Sequence, residues 1–292
     1  MPCKCRLNFF AMRQFFRKLV IGLLRFQINT IALFSLGWAG RKALDIFRTP
    51  HKGRLREQDK TFLEGAKWET IQAEGLDIQT YLWEGTGPSI LLAHGWESNS
   101  ARWRTFINVF KKKNYRIVAL DAPGHGATSG KRFDAHWYAL ALKAVAEHFQ
   151  PAFIAGHSAG GMALMYYLSH FKPAFVHGGV VIAAPCSLRR VLNNFNSVLH
   201  LSERAMQGME IAINDQFGVP VDSFNLYDFA EKNKTPGLMM YDACDDVASF
   251  AEGQKLAAIW KKSRFEGYNG LGHSMNNKAV AEEIGVFMEG VG

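Results

Sequence analysis

From residue 67 onward, apolar runs of strand length alternate with longer segments of helical spacing. Lys67–Ala73 and Leu76–Trp83 read as two strands of a hairpin turning at Glu74-Gly75. Residues 89–93 are wholly apolar after the first, as fits a strand buried on both faces of a parallel sheet. The pattern then predicts a helix over 103–113, a buried strand over 116–120 and a helix over Ala135–Phe149. It continues with a strand over 152–155, a helix over 160–171 and a strand over 178–184. Strands over 236–241 and Ser263–Tyr268, with helices over 251–260 and 279–288, complete the set. A hairpin followed by strand–helix alternation predicts the α/β class: a mostly parallel sheet flanked by helices, with reactive groups at the carboxyl ends of its strands. Residues 186–235 break the alternation. Helical spacing of Val191, Phe195, Val198 and Leu199 predicts a small helical cap over those strand ends.

The amino-terminal segment follows another rhythm. Phe9, Met12, Phe16, Leu19, Leu23 and Phe26 recur every three or four residues, the stripe of an amphipathic helix, with Arg13, Arg17 and Lys18 off it. Residues 26–40 carry no charge but are diluted by Gln27, Asn29, Thr30 and Ser35, a marginal candidate for a membrane span. Two readings stand side by side: a basic amphipathic helix lying on an anionic membrane surface, or an extra helix over residues 30–47 packed on the body. No small-residue cleavage site follows a clean apolar core, which disfavours a signal peptide. Met12 offers an alternative start.

The charge changes the picture only once it is located. The 292 residues have a formal net charge of +8, yet residues 1–60 hold 13 Lys/Arg against 3 Asp/Glu, and the remainder is nearly neutral. The expected division is therefore a basic extension over 1–60 and a catalytic domain over 61–292. A nucleic-acid binder would spread basic residues over a folded face with stacking aromatics, so that class is disfavoured. Cys3, Cys5, Cys186 and Cys244 form no zinc-type spacing with histidines and read as reduced thiols. They favour a cytoplasmic body, with membrane contact through the extension as the added expectation.

The chemistry concentrates at Gly156-His157-Ser158-Ala159-Gly160, which directly follows a predicted strand and precedes a helix. Glycines two residues either side of a serine permit a sharp strand-to-helix turn that presents the hydroxyl clear of the sheet. A serine needs a base to take its proton, and the base needs a carboxylate to fix its tautomer. Asp245, 87 residues on, and His273, 28 further, each follow a predicted strand. Asp242 and Asp246 are rivals for the acid, whereas His273 is the only histidine after it. His94, His125 and His157 read as hydrogen-bonded supports. Acyl transfer also needs donors for a developing oxyanion, and the backbone N–H groups of Trp96 and Ala159 are the candidates.

His94-Gly95-Trp96, Asp121-Ala122-Pro123-Gly124-His125-Gly126, the Ser158 turn, the Asp245 loop and Gly272-His273 together resemble the α/β-hydrolase superfamily, over about residues 67–292. In Asp245-Asp246-Val247-Ala248-Ser249, Ser249 stands where proline is common in the family. The resemblance implies an eight-stranded sheet, a mobile cap and no cofactor. It makes the chain a serine hydrolase acting on a small-molecule ester or thioester, with no metal. The same residues also suit carbon–carbon bond hydrolysis or a lyase reaction, and a catalytically silent binding protein of this fold is the third reading.

Overall fold

The structure is a computed structural model that describes residues 4–291 apart from 219; among the first fourteen, only the side chain of Met12 is described. The chain divides into two compact units, one of residues 1–47 with Leu188–Phe224, the other of Arg48–Ser187 with Asn225–Gly292.

The larger unit contains the sheet. Its strands are β1 (Lys67–Ala73), β2 (Leu76–Trp83), β3 (Gly87–Ala93), β4 (Tyr115–Leu120), β5 (Phe153–His157), β6 (Gly178–Ile182), β7 (Gly237–Asp242) and β8 (Ser263–Tyr268). They lie in the order β1-β2-β4-β3-β5-β6-β7-β8. β2 pairs antiparallel with β1 and with β4, and every pairing from β4 to β8 is parallel. Burial explains the spelling of the strands. β5, β6 and β7 are buried along their whole length and are nearly all apolar, because helices cover both faces of a parallel sheet. Edge strand β1 alternates exposed and half-buried residues over most of its length, with Trp68, Thr70 and Gln72 on its exposed face.

The hairpin, all eight strands and the alternation match the sequence reading. The predicted helix over 103–113 begins as a 3₁₀ turn, Ser100–Trp103, capped by the Asn99 side chain, before the α-helix Arg104–Lys112. Short helices Glu57–Leu63 and Leu226–Lys232 were not predicted; seven residues give too little periodicity to read.

The smaller unit is built from α1 (Lys4–Phe34), α2 (Leu36–Arg48), α7 (Leu188–Leu199) and α8 (Glu203–Phe217), the two latter numbered in chain order after the helices of the sheet unit. Ile28 and Ala32 of α1 and Ala39, Ala43 and Leu44 of α2 share one core with Leu192, Leu199, Ala205, Met209 and Ile213. α2 and α8 approach to backbone contact: a Cβ on Gly40 would lie 1.8 Å from the Gly208 carbonyl oxygen, and one on Gly208 would lie 2.3 Å from that of Leu36. Only glycine fits at this crossing.

These observations redraw the expected boundaries. Residues 48–60 join the sheet unit, where Arg48 pairs with Asp134 at 3.0 Å. Leu226–Lys232, placed in the insert by the sequence reading, also belongs there. The remaining insert, 188–224, packs with the amino-terminal helices in the smaller unit. The periodic stripe of α1 is not its packing face: Met12, Phe16, Leu19, Leu23 and Phe26 are exposed, while Ile28 and Ala32 are buried. The Phe9 side chain lies outside the described residues, as do those of Cys3 and Cys5. Among the described residues no helix is long and apolar enough to cross a membrane.

Candidate active site

Ser158 stands between β5 and the helix Ala159–Phe171, with φ of +53° and ψ of −119°. That region is costly for a residue with a Cβ, on the order of 1–3 kcal/mol, and persists only where the surroundings enforce it. Here the enforcement is close packing. A Cβ on Gly156 would lie 2.4 Å from the Gly160 carbonyl oxygen, and one on Gly160 would lie 2.2 Å from that of Ala93. The two glycines of the motif let the turn close on itself and seat against the end of β3.

His273, on the loop after β8, places Nε2 3.0 Å from the Ser158 Oγ. Its Nδ1 lies 2.9 Å from Asp245 Oδ2. A carboxylate only accepts, so Nδ1 carries the proton and Nε2 is left free to accept from the serine hydroxyl. The Asp245 side chain is 0 % exposed and that of His273 is 28 % exposed. Asp245 Oδ1 is fixed by the N–H groups of Val247 (2.7 Å) and Ala248 (2.9 Å). Ser158, Asp245 and His273 thus form one hydrogen-bonded line.

The rival acids do other things. Asp242, at the end of β7, accepts from the N–H groups of Cys244 and Gly270 through Oδ1 and from that of Leu271 through Oδ2, tying the acid loop to the histidine loop. Burial pushes its carboxyl up, but the several backbone donors outweigh this and hold it below the usual carboxylate range. Asp246 is exposed.

Two side chains hold consecutive carbonyls of the histidine loop. His157 Nε2–H donates to the His273 oxygen at 2.7 Å, and Arg102 Nη2 donates to that of Ser274 at 2.9 Å. Burial lowers the Arg102 guanidinium to about 10, leaving it charged at neutral pH. The same burial, with Arg102 and His273 nearby, drives His157 well below 6.5. His94 is lowered to about 3 and His125 to about 4, both chiefly by burial. As neutral rings they serve the backbone: His94 Nε2 accepts from the Ala122 N–H, and His125 Nε2 from the Glu97 N–H.

The Trp96 loop is buttressed from below. Asp121, fully buried at the end of β4, accepts from the backbone N–H and the hydroxyl of Ser100 and from the Tyr81 hydroxyl. Tyr138 donates to the His94 carbonyl at 3.0 Å. A Cβ on Gly95 would meet the Ser158 Cβ at 2.9 Å, so the loop leading to Trp96 runs directly against the serine. The Trp96 ring packs edge-on against His125 and Phe133. Ala159 opens its helix, where the first four N–H groups have no intrahelical acceptor.

The sequence reading missed Arg102 and Tyr138, whose partners are backbone carbonyls distant along the chain. Asp121 it quoted only within a motif, although an acid ending a buried strand is itself a signal of a bonded role. Among the described residues, Cys186 and Cys244 are not joined in a disulfide. Among the described residues no group of three or more His, Cys, Asp or Glu side chains is placed to hold a metal ion.

Residues 90–228 match the model of the alpha/beta hydrolase family. A bifunctional esterase/perhydrolase of Acinetobacter calcoaceticus is 34% identical over 117 residues, and a non-heme haloperoxidase of Rhodococcus erythropolis is 30% identical over 116. Each alignment covers 38% of this chain and 42% of the relative, so the match spans less than half of either protein. Among solved structures, the esterase Pf2001 of Pyrococcus furiosus superposes with a TM-score of 0.65 at 17% identity, over 83% of this chain and 99% of that one. The sheet order, the family match over residues 90–228 and these neighbours give the chain the α/β-hydrolase fold.

Proposed function

We propose that this protein is a serine hydrolase that cleaves a carboxylic ester or thioester through an acyl-enzyme. The unbroken line from Asp245 through His273 to Ser158, at 2.9 and 3.0 Å, carries the reading. In it, His273 Nε2 takes the Ser158 proton as Oγ attacks the substrate carbonyl. Asp245 steadies the imidazolium that forms. The N–H groups of Trp96 and Ala159 receive the developing oxyanion. His273 then passes the proton to the leaving alcohol or thiol, and a water activated by the same imidazole releases the acid. The name of one relative, a bifunctional esterase/perhydrolase, supports ester chemistry, and the fold does not choose the acyl group.

A p-nitrophenyl ester tests the reading by rapid mixing. A burst of p-nitrophenol equal to the enzyme concentration, followed by slower turnover, is the expected result, and both phases vanish in Ser158→Ala. Turnover in Ser158→Ala equal to that of the unchanged protein overturns the assignment.

The reading extends to location: a cytoplasmic protein associated with a membrane surface through residues 1–47. The exposed stripe of α1 and the presence of Cys186 and Cys244 outside any disulfide support it.

A further inference from the structure

The smaller unit holds a cleft of about 340 Å³ whose lining includes Arg25, Phe26, Asn29, Leu33, Ser202 and Arg204. Its composition is mixed in a particular way, with two guanidinium groups beside two large apolar side chains. Arg25 enters no hydrogen bond or ion pair among the described residues. Arg204 spends Nε on the Ala32 carbonyl at 3.1 Å and has no carboxylate partner among them. By contrast, Arg189 of α7 is neutralised by Glu210 and Asp222.

The apolar wall of this cleft continues into a larger surface. Along α1, Met12, Phe15, Phe16, Leu19, Leu23, Phe26, Leu33 and Phe34 are exposed, Phe26 at 71 % and Phe34 at 86 %. Single exposed apolar residues need no explanation, but a run of this length on one helix does. Arg17, Lys18 and Arg25 lie on the same stretch, and no acid precedes Asp45 in the sequence. This unit holds 11 of the chain's Lys and Arg residues against 5 of its Asp and Glu. Of those acids, Glu210 and Asp222 are already paired with Arg189, and Asp45 has a partner of its own.

We infer that the cleft is a head-group site for an anionic phospholipid, with Arg25 and Arg204 taking the phosphate while the α1 stripe lies among the acyl chains. The inference rests on the membrane association proposed above and names its partner. A phosphate offers several acceptor oxygens to two guanidinium donors. An apolar stripe beside basic residues, on a helix whose described residues are not apolar enough to cross a membrane, is the arrangement of a surface-bound helix. A protein partner would have to cover both the guanidinium pair and a run of phenylalanines with one acidic and apolar face.

Co-sedimentation of the full chain with vesicles decides the matter, using phosphatidylcholine alone and phosphatidylcholine containing phosphatidylglycerol, at low and high salt. The expected result is strong binding to the anionic vesicles that weakens with salt. Arg25→Gln lowers the partition coefficient about fivefold, as for one basic residue at a charged surface, and Arg25→Lys recovers part of it. Phe26→Ser lowers it on the order of tenfold or more. All three variants keep the soluble p-nitrophenyl ester activity, since the substitutions lie on an exposed surface.

Absence of sedimentation with either vesicle overturns the membrane association as a whole. Equal binding to both vesicles, or an unchanged Arg25→Gln, overturns the head-group site and leaves the surface contact. Release of bound protein by inorganic phosphate at matched ionic strength shows that free phosphate, not lipid, is the occupant, and overturns it too. Concentration-dependent dimers in sedimentation velocity, abolished by Phe26→Ser, assign the stripe to a second copy of the chain.

Discussion

At the scale of single residues, the proposed mechanism separates groups that react from groups that position. Asp245 holds the tautomer of His273 through one hydrogen bond at 2.9 Å. Asp245→Asn presents an amide that can stabilise the wrong tautomer, so kcat falls by roughly 10⁴-fold with KM little changed. Steady-state kinetics on a p-nitrophenyl ester check this; a loss below about tenfold would return the role to another acid. His157 and Arg102 act one step away, on the carbonyls of His273 and Ser274. Arg102→Gln and His157→Phe release those carbonyls and lower kcat by about tenfold, while the affinity for a reversible competitive inhibitor stays the same. His157→Gln, which keeps a donor, recovers more activity than His157→Phe. A parallel loss of inhibitor affinity would mean that the substitutions collapse the site rather than loosen one loop.

At the scale of elements, close backbone approach decides what the sequence can change. The α2–α8 crossing at Gly40 and Gly208 has no room for a methyl group. Gly208→Ala forces the helices apart and costs about 1–3 kcal/mol, within the range of overpacking in a tight core. Thermal or denaturant unfolding followed by circular dichroism reports it. A stability equal to that of the unchanged protein would show that the crossing is looser than drawn. The elements also show where sequence reading succeeds. Long apolar strands and the fifteen-residue helix Ala135–Phe149 were legible because their burial repeats along the chain. The glycines around Ser158 were legible because so tight a strand-to-helix turn leaves no room for a Cβ. The packing face of α1 was not. That helix is apolar on more than one side, and periodicity alone selected the exposed stripe rather than the buried Ile28 and Ala32. Nor was the union of residues 1–47 with 188–224, since contact between segments so far apart leaves no local pattern. The preference for Asp245 over Asp242 rested on the resemblance; in the structure Asp245 bonds the His273 ring, while Asp242 accepts from the Leu271 and Cys244 N–H groups.

Across the molecule, buried histidines tie stability to pH. His94 and His125 sit at about 3 and about 4 in the folded chain, and His157 lies well below 6.5, the ordinary value for the side chain. The unfolded chain therefore binds more protons than the folded one between pH 6.5 and about 4. Stability is full above pH 6.5 and falls on acidification, by up to about 1.4 kcal/mol per pH unit for each histidine. Urea unfolding at pH 7, 6 and 5 measures that slope. His94→Gln, which can keep an acceptor for the Ala122 N–H, flattens it. A midpoint that does not move over this range would mean the rings are protonated in the native state. The depressed carboxyl of Asp242 adds a second loss at lower pH, where its contribution disappears as pH falls through its folded value.

The proposed hydrolysis depends most on Ser158 being the nucleophile. Reaction of the full chain with a fluorophosphonate, followed by digestion and mass spectrometry, reads this directly. A single phosphonyl adduct on the peptide containing Ser158, lost in His273→Ala as well as in Ser158→Ala, is the predicted result. An adduct on another residue, or labelling that persists at full rate without His273, would contradict it.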